Sequence, residues 1–174
     1  MKIPIEDRIL FEDNHLLIVN KLPSEIVQGD KTGVVCLLDD VKSYIKDTYN
    51  KPGNVYAGLV HRIDRPVSGA VIFAKTSKAL SRMTIKVKER EFSKTYLAVV
   101  KSKPPKDEDE LSHFMIKNEA QNKSYIVDSK TKGAKLAQLR YRVVGTSESY
   151  YLLEVELITG RHHQIRAQLA HIGC

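Results

Sequence analysis

Two apolar runs separated by a short polar segment give the chain its clearest hydrophobic pattern. The runs cover 55–60 and 70–74, and both are typical of buried strands. The segment between them contains Pro66 and Gly69, which favour a turn over a continued strand. The pattern therefore predicts a loop that is held by two strands.

This loop contains one acid, Asp64, between Arg62 and Arg65. A carboxylate bracketed by guanidinium groups on a loop of this kind is a reasonable active-site arrangement. Ion pairs at strand ends are also common structural features. From these residues alone, the ordinary ion pair is the favoured interpretation.

Three segments have apolar residues spaced three and four apart, which predicts amphipathic helices. The first covers 35–49, the second begins at the N-cap residue Ser77 and runs to about Arg90, and the third follows Gly160. Their apolar positions are Leu38, Val41, Ile45 and Tyr49 in the first, Leu80, Met83 and Val87 in the second, and Ile165, Leu169 and Ile172 in the third.

The second predicted helix has basic residues four apart, which we call the cationic ridge: Lys78, Arg82, Lys86 and Arg90. Such a row can contact RNA phosphates, and it can equally be an ordinary solvated helix face. The helical pattern favours neither interpretation.

The rest of the pattern is rich in strands. Strands are predicted at 16–20 and, carrying Tyr96, at 92–100, and an antiparallel meander is predicted over 111–117, 123–129, 134–144 and 150–158. Helices and consecutive strands together indicate the α+β class, with a mixed, largely antiparallel sheet flanked by helices. At 174 residues, one domain covering 1–174 is expected.

Composition narrows the class of protein. A hydrophobic fraction of 42% and a charged fraction of 28% are typical of a globular protein, and the net charge of +7 favours a polyanionic partner. The two cysteines form no disulfide framework or metal-binding spacing, which favours a reducing compartment. Because there is also no signal peptide and no membrane-length apolar run, we expect a cytoplasmic protein without a membrane partner.

Four segments occur in an order that changes the interpretation of Asp64. Residues 61–69 read His-Arg-Ile-Asp-Arg-Pro-Val-Ser-Gly, and this segment closely resembles the His-Arg-Leu-Asp-x-x-Thr/Val-Ser-Gly signature of the RluA-type pseudouridine synthases. Residues 14–21 resemble the N-terminal strand of that family, 94–99 its Lys-x-Tyr-x-Ala-x-Val strand, and 157–166 its Thr-Gly-Arg-x-His-Gln-Ile-Arg motif. The resemblance extends from about Phe11 to Cys174.

The resemblance implies the same α+β architecture, with the active-site cleft across the sheet. It implies isomerisation of uridine to pseudouridine in structured ribosomal or transfer RNA. This reaction gains no atom and transfers no electron, so no cofactor is expected.

The resemblance also implies roles for individual residues. Asp64 would be the nucleophile, which attacks C1′, attacks the base or removes a ribose proton. Tyr96 would stack on the target uracil, and Arg166 would keep the carboxylate ionised. Arg62 would help displace the target base, and His61 would orient the loop. The residues predicted to contact RNA are His61, Arg62, Arg65, Lys78, Arg82, Lys86, Arg90 and Arg161.

Two other functions fit parts of the sequence. A non-catalytic RNA-binding module would account for the cationic ridge, but it would need no set of Asp64, Tyr96 and Arg166. A glycosidase-like hydrolase would normally need a second carboxylate, and the three motifs contain none. Zinc is disfavoured because His162 and His163 point about 100° apart on one helix and no Glu or Cys completes the set.

The ends of the chain also differ from the family pattern. We expect no accessory N-terminal RNA-binding domain of the kind that some members carry. Members usually continue past the position of Cys174 with a Pro-x-x-Gly-Asp segment and another strand. We therefore expect that a C-terminal part is missing from this sequence. No protein partner is evident, so a monomer is expected.

Overall fold

A computed structural model of the chain describes residues 3–29 and 33–174. The chain divides into two compact units, 1–91 and 92–174. Each unit contains one antiparallel sheet and at least one helix. The α+β class is therefore confirmed, but with two sheets where one mixed sheet was expected. In the described residues, each strand pairs only with strands of its own unit. A helix follows the last strand of the first sheet, and the strand after that helix pairs with the last strand of the second sheet.

The first unit begins with a 3-10 turn, Glu6–Arg8, and contains a four-stranded sheet and two α-helices. The elements are β1 (Ile9–Glu12), β2 (Leu16–Lys21), α1 (Leu37–Thr48), β3 (Gly58–Leu59), β4 (Gly69–Ala74) and α2 (Ser77–Glu89). The sheet order is β1-β2-β4-β3, and every pair in it is antiparallel.

The core of the first unit follows from alternation along its two central strands. Leu17 and Val19 of β2 are opposite Phe73 and Val71 of β4, so all four side chains lie on one face, and none is exposed. This face packs against the apolar side of α1, formed by Leu37, Val41 and Ile45. Leu37 replaces the predicted Tyr49 on that side, because Tyr49 lies at the helix C-cap and is exposed.

Two other predictions for this unit need correction. The strand expected over 55–60 is reduced to Gly58–Leu59. Helix α2 is capped by Thr76, whose Oγ1 accepts from the Ala79 N–H at 3.1 Å, and not by Ser77. The cap is stable there because Thr76 has the extended backbone that an N-cap requires.

The second unit is a five-stranded sheet covered by one helix. Its elements are β5 (Thr95–Val100), β6 (Glu108–Asn118), β7 (Lys123–Val127), β8 (Lys135–Thr146), β9 (Tyr151–Leu157) and α3 (Gln164–His171). The order is β5-β9-β8-β6-β7, so β8 pairs with β6 and not with β7. The predicted strands are present, but the simple meander is wrong. Leu111 of β6 is opposite Leu139 of β8, which places their buried side chains on one face under Leu169 of α3.

No helix in the described ranges is long and apolar enough to cross a membrane.

Candidate active site

Asp64 lies on the loop between the antiparallel strands β3 and β4, as the sequence pattern predicts. Its side chain is half-buried, whereas the neighbouring Arg62 and Arg65 are exposed. The carbonyl of Asp64 accepts from the Val67 N–H at 3.0 Å, which closes a tight turn around Pro66. The loop therefore presents a half-buried carboxylate from a short turn of defined shape.

His61 joins this loop to the sheet. The Val60 N–H donates to the Ile72 carbonyl at 3.1 Å, which continues the ladder one residue beyond β3. The Ile72 N–H then donates to Nε2 of His61 at 3.3 Å, so the imidazole takes the place of a backbone carbonyl. Because Nε2 is the acceptor, the proton of the neutral ring lies on Nδ1. This hydrogen bond joins the imidazole of His61 to β4, and the role of His61 in orienting the loop stays a prediction.

Lys21 binds the backbone of the same loop through its side chain. Its side chain is fully buried at the end of β2, where it continues the inward alternation of Leu17 and Val19. Its Nζ donates to the carbonyls of Leu22, Arg65 and Val67 at 2.9, 3.0 and 2.5 Å. Burial lowers the pKa of Lys21, and the carboxylates of Glu25 and Asp64 act in the opposite direction. The buried ammonium is therefore held beside the backbone turn of Asp64 and within range of its charge.

A second connection joins Arg65 to the segment after β2. The Ser24 N–H donates to the Arg65 carbonyl at 2.8 Å, and Arg65 Nε donates to the Ser24 carbonyl at 3.1 Å. Ser24 has a φ of +69°, so the chain reverses sharply at this point. The Nε–H of Arg65, a residue predicted to contact RNA, is therefore already used in a hydrogen bond within the protein.

The segment after β2 is in turn anchored by Glu25. Its carboxylate accepts from the Leu22 N–H at 2.8 Å and from Nη1 of Arg8 at 2.7 and 2.8 Å. Arg8 is buried, with 4% of its surface exposed. The ion pair of Arg8 and Glu25 thus supports the segment to which both Lys21 and Arg65 bind.

The second unit contains Tyr96 and Arg166. Tyr96 lies on β5 opposite Val155 and is half-buried against the core cluster of Leu153 and Leu169. Arg166 is the third residue of α3, and its side chain is exposed. Both residues therefore lie on the elements predicted for them, a strand and the last helix.

The basic residues predicted to contact RNA are largely on the surface. All four residues of the cationic ridge are exposed. Lys86 forms an ion pair with Glu91, whose hydrogen bond and charge raise the pKa of the Lys86 amine. Arg90 follows the end of α2 in the left-handed conformation, with a φ of +60°. Arg161 in the second unit is exposed and donates from Nε to the Leu136 carbonyl at 2.9 Å.

The histidines near α3 are arranged in pairs. His162 and His163 precede α3 and stack with their ring centroids 3.7 Å apart, so the expectation that they point about 100° apart on one helix is wrong. His113 and His171 contact edge to face at 4.8 Å. Within residues 3–29 and 33–174, no group of three or more His, Cys, Asp or Glu side chains is placed to hold a metal ion.

A family model described as RNA pseudouridylate synthase matches residues 15–171, which is most of the chain. The chain belongs to the RNA pseudouridylate synthase family. The match includes all four motifs that carried the resemblance, apart from the first residue of the segment 14–21. Asp64, Tyr96 and Arg166 all lie inside it.

Two named relatives show how far the similarity extends. The chain is 35% identical over 167 residues to the ribosomal large subunit pseudouridine synthase C of Buchnera aphidicola subsp. Acyrthosiphon pisum, covering 96% of this chain and 51% of the relative. It is 31% identical over 176 residues to the ribosomal large subunit pseudouridine synthase D of Pseudomonas aeruginosa, covering 97% of this chain and 51% of that protein. The chain thus spans about half the length of the curated relatives it matches.

Solved structures share the fold. The human RNA pseudouridylate synthase domain containing 4 has a TM-score of 0.83 at 21% identity, covering 96% of this chain and 65% of the human one. The human RNA pseudouridylate synthase domain containing 1 has a TM-score of 0.76 at 21% identity, covering 95% and 65% of the two chains. These likenesses support the pseudouridine synthase fold.

The sequence motifs of the pseudouridine synthase family identify the loop of Asp64 but not its supports. Lys21, Glu25 and Arg8 were not predicted as part of the site. One signal was available, because Lys21 continues the alternation of Leu17 and Val19 and so occupies a buried position. A buried lysine requires hydrogen-bond acceptors, and this requirement indicates a nearby polar loop.

Proposed function

We propose that this chain is the catalytic part of an RNA pseudouridine synthase that isomerises uridines in ribosomal RNA. The observation that carries the proposal is the half-buried Asp64 on a turn fixed by the buried Lys21. Membership of the pseudouridine synthase family and the names of the relatives support the reaction and the ribosomal substrate. RNA binding alone would not require a carboxylate held in this way.

The reaction would rearrange bonds within one nucleotide. The N1–C1′ bond of uridine breaks, the uracil turns, and a C5–C1′ bond forms. The proton on C5 leaves and N1 ends protonated, so atoms and electrons balance without a cofactor. Asp64 would be the ionised group that begins this exchange, by attack on C1′, attack on the base or removal of a ribose proton.

Two residues of the second unit would assist Asp64. The ring of Tyr96 would stack on the uracil after it leaves the RNA stack. The guanidinium of Arg166 would pair with the Asp64 carboxylate, since its planar fork suits a bidentate contact. The exposed cationic ridge would bind phosphates, and Arg62 would help displace the target base.

The direct test is release of tritium from ribosomal RNA carrying C5-labelled uridine, because every route to the C5 glycoside removes this hydrogen. The expected result is release by the chain and none above background by Asp64→Asn, with RNA affinity unchanged. Asp47→Asn is the matched control, because Asp47 is an exposed aspartate on α1 of the same unit. Release by Asp64→Asn at the parent rate would overturn the proposal.

We also propose that the protein acts as a cytoplasmic monomer. Cys36 and Cys174 are both free thiols, which suits a reducing compartment. Sedimentation equilibrium tests the oligomeric state, and fractionation of cells expressing the natural protein tests the location. A stable dimer, or recovery in a membrane or extracellular fraction, would contradict this part.

A further inference from the structure

Three uncharged polar side chains are buried where α3 meets the sheet of the second unit. Thr159, Gln164 and Gln168 have 4, 2 and 0% of their surface exposed. They are connected to one another and to His113 of β6 by hydrogen bonds, and we call these four residues the glutamine network. Buried amides are costly unless every donor and acceptor is paired, so their presence requires a reason.

The backbone determines which way the Gln168 amide points. Its nitrogen lies 3.3 Å from the Leu111 carbonyl and 3.2 Å from the Ala137 carbonyl, and a carbonyl can only accept. The same nitrogen lies 3.0 Å from Nδ1 of His113, which must therefore be an acceptor. The Gln168 oxygen accepts from Nε2 of Gln164 at 3.0 Å. Reversing the amide would face an oxygen towards two carbonyls, so only one orientation is stable.

The Gln164 amide is held in the same way. Its oxygen accepts from the Arg161 N–H at 2.9 Å and from the Thr159 hydroxyl at 2.8 Å. Its nitrogen donates to the Gln138 carbonyl at 3.0 Å. Thr159 Oγ1 accepts from the Gln138 N–H at 2.8 Å, which leaves its hydrogen for Gln164. The hydrogen bonds of the two amides and of the Thr159 hydroxyl therefore connect α3 to both β8 and β6.

Helix α3 is short and depends on contacts of this kind. It has eight residues, Gln164–His171, and a helix of this length is marginal by itself. Leu169 is its only buried apolar residue. Apolar packing is not directional, whereas hydrogen bonds to fixed backbone groups are, so the network determines the rotation and axial position of α3.

Arg166 lies midway between the two glutamines in sequence. Gln164 and Gln168 are one turn apart and point into the sheet, so Arg166 points to the other side of the helix at about 100° per residue. Its side chain is exposed, as this geometry requires. A rotation or slide of α3 would therefore move the guanidinium directly.

We propose that Gln164 and Gln168 are positioning residues for Arg166, because they fix the orientation of the helix that carries it. This inference rests on the proposed function, in which Arg166 pairs with the nucleophile. The glutamines touch no reacting atom. Their contribution is geometric, and misplacement of a catalytic group by about 1 Å can cost about 10²-fold in rate.

The test compares Gln168→Glu with Gln168→Met. Glutamate keeps the shape of the side chain but faces an oxygen towards the Leu111 and Ala137 carbonyls. Methionine removes the hydrogen bonds without adding a titratable group. Both variants are expected to lower kcat by about 10²-fold with KM for RNA unchanged. Gln121→Glu is the control, because Gln121 is an exposed glutamine of the same unit.

The pH profile separates positioning from simple damage to the fold. The introduced carboxylate would lie beside Nδ1 of His113. As the pH falls, this pair takes up a proton and its buried negative charge is neutralised, so Gln168→Glu is expected to recover activity relative to the parent. Gln168→Met has nothing to protonate and is expected to stay low at every pH. Recovery by both variants, or by neither, would overturn the inference.

A second measurement does not depend on catalysis. Hydrogen exchange of the α3 amides is expected to speed up in both Gln168 variants and to stay unchanged in Gln121→Glu. Unchanged α3 exchange, or faster exchange with full kcat, would overturn the inference. If the parent chain releases no tritium, the proposed function fails, and the exchange result alone then decides whether the network holds α3.

Discussion

At the scale of single residues, Lys21 joins the end of β2 to the turn that carries Asp64. One ammonium group satisfies carbonyls on both sides of Pro66, so the turn of Asp64 depends on a side chain from another strand. The buried ammonium of Lys21 donates to three carbonyls, and losing either the donor or an acceptor would leave a buried polar group unpaired. Each unpaired group would carry a desolvation cost.

Replacing Lys21 tests this dependence. Lys21→Met keeps most of the side-chain volume but leaves the Arg65 and Val67 carbonyls without their donor. We expect the free energy of unfolding to fall by about 2–3 kcal/mol, and tritium release to fall as the Asp64 turn loosens. Chemical denaturation measures the first effect. Lys46→Met, an exposed site on α1, is the control and should change neither property.

The residue scale also shows what the sequence could predict. The motif around Asp64 correctly indicates a loop between two strands, because local apolar runs and turn residues encode it. The donors to this loop could not be predicted, because Lys21 lies 44 positions before Arg65 and the contact depends on how the strands pair. The same limit applies to Arg65, whose hydrogen bond to Ser24 follows from the shape of a separate turn.

At the scale of elements, the basic residues of α2 are all exposed, but they differ in whether a nearby acid already pairs with them. Lys86 already pairs with Glu91, whereas no ion pair involves Arg82 in the part of the chain that the structure describes. A charge that is already neutralised releases fewer counterions when RNA binds. The four residues of the cationic ridge should therefore contribute unequally.

This difference gives a prediction for RNA binding. Arg82→Gln should weaken binding and reduce the slope of log affinity against log salt by about 0.7–0.9, and Lys86→Gln should reduce it by less. Neutralising all four ridge residues should flatten the slope further. Lys46→Gln on α1 is the control. Equal slopes for every variant and the parent would show that the ridge faces only solvent.

The contact between α3 and β6 predicts a dependence of stability on pH. Burial, and then the charge of His171 on α3, lowers the pKa of His113. The folded protein therefore resists protonation of this ring, while the unfolded chain takes up a proton near the ordinary value of 6.5. The free energy of unfolding should fall as the pH drops from about 6.5 to the lower pKa of the folded state, and then level off.

A variant of His113 isolates this effect. His113→Gln keeps an acceptor for Gln168 but cannot titrate, so its contribution to the pH dependence should disappear while stability at pH 8 is retained. Urea denaturation at a series of pH values provides the measurement. His15→Gln, at an exposed position in the first unit, should leave the pH dependence as it is.

At the scale of the whole molecule, the chain is two compact units, each with its own buried core. The motifs identify the family but not this division, because the polar segment near Glu91 resembles any surface connection. The expectation of one domain over 1–174 remains a prediction that requires a measurement of cooperativity.

Two matched core variants provide that measurement. Val71 and Val155 have 0% of their surface exposed, in the first and second unit respectively. Val71→Ala and Val155→Ala should each cost about 2 kcal/mol. If the units open separately, each variant will speed hydrogen exchange only in the core of its own unit. Equal acceleration of both cores by either variant would show a single cooperative domain.

The continuity of each unit along the chain also has a consequence for synthesis. Every described strand pair of the first sheet joins residues between Ile9 and Ala74, so these pairs can form before the second unit is translated. The second sheet cannot be completed until β9 has been translated, because in the described residues β5 pairs only with β9. On the ribosome, the loop of Asp64 can therefore take its shape while Tyr96 is still in a strand that waits for its partner.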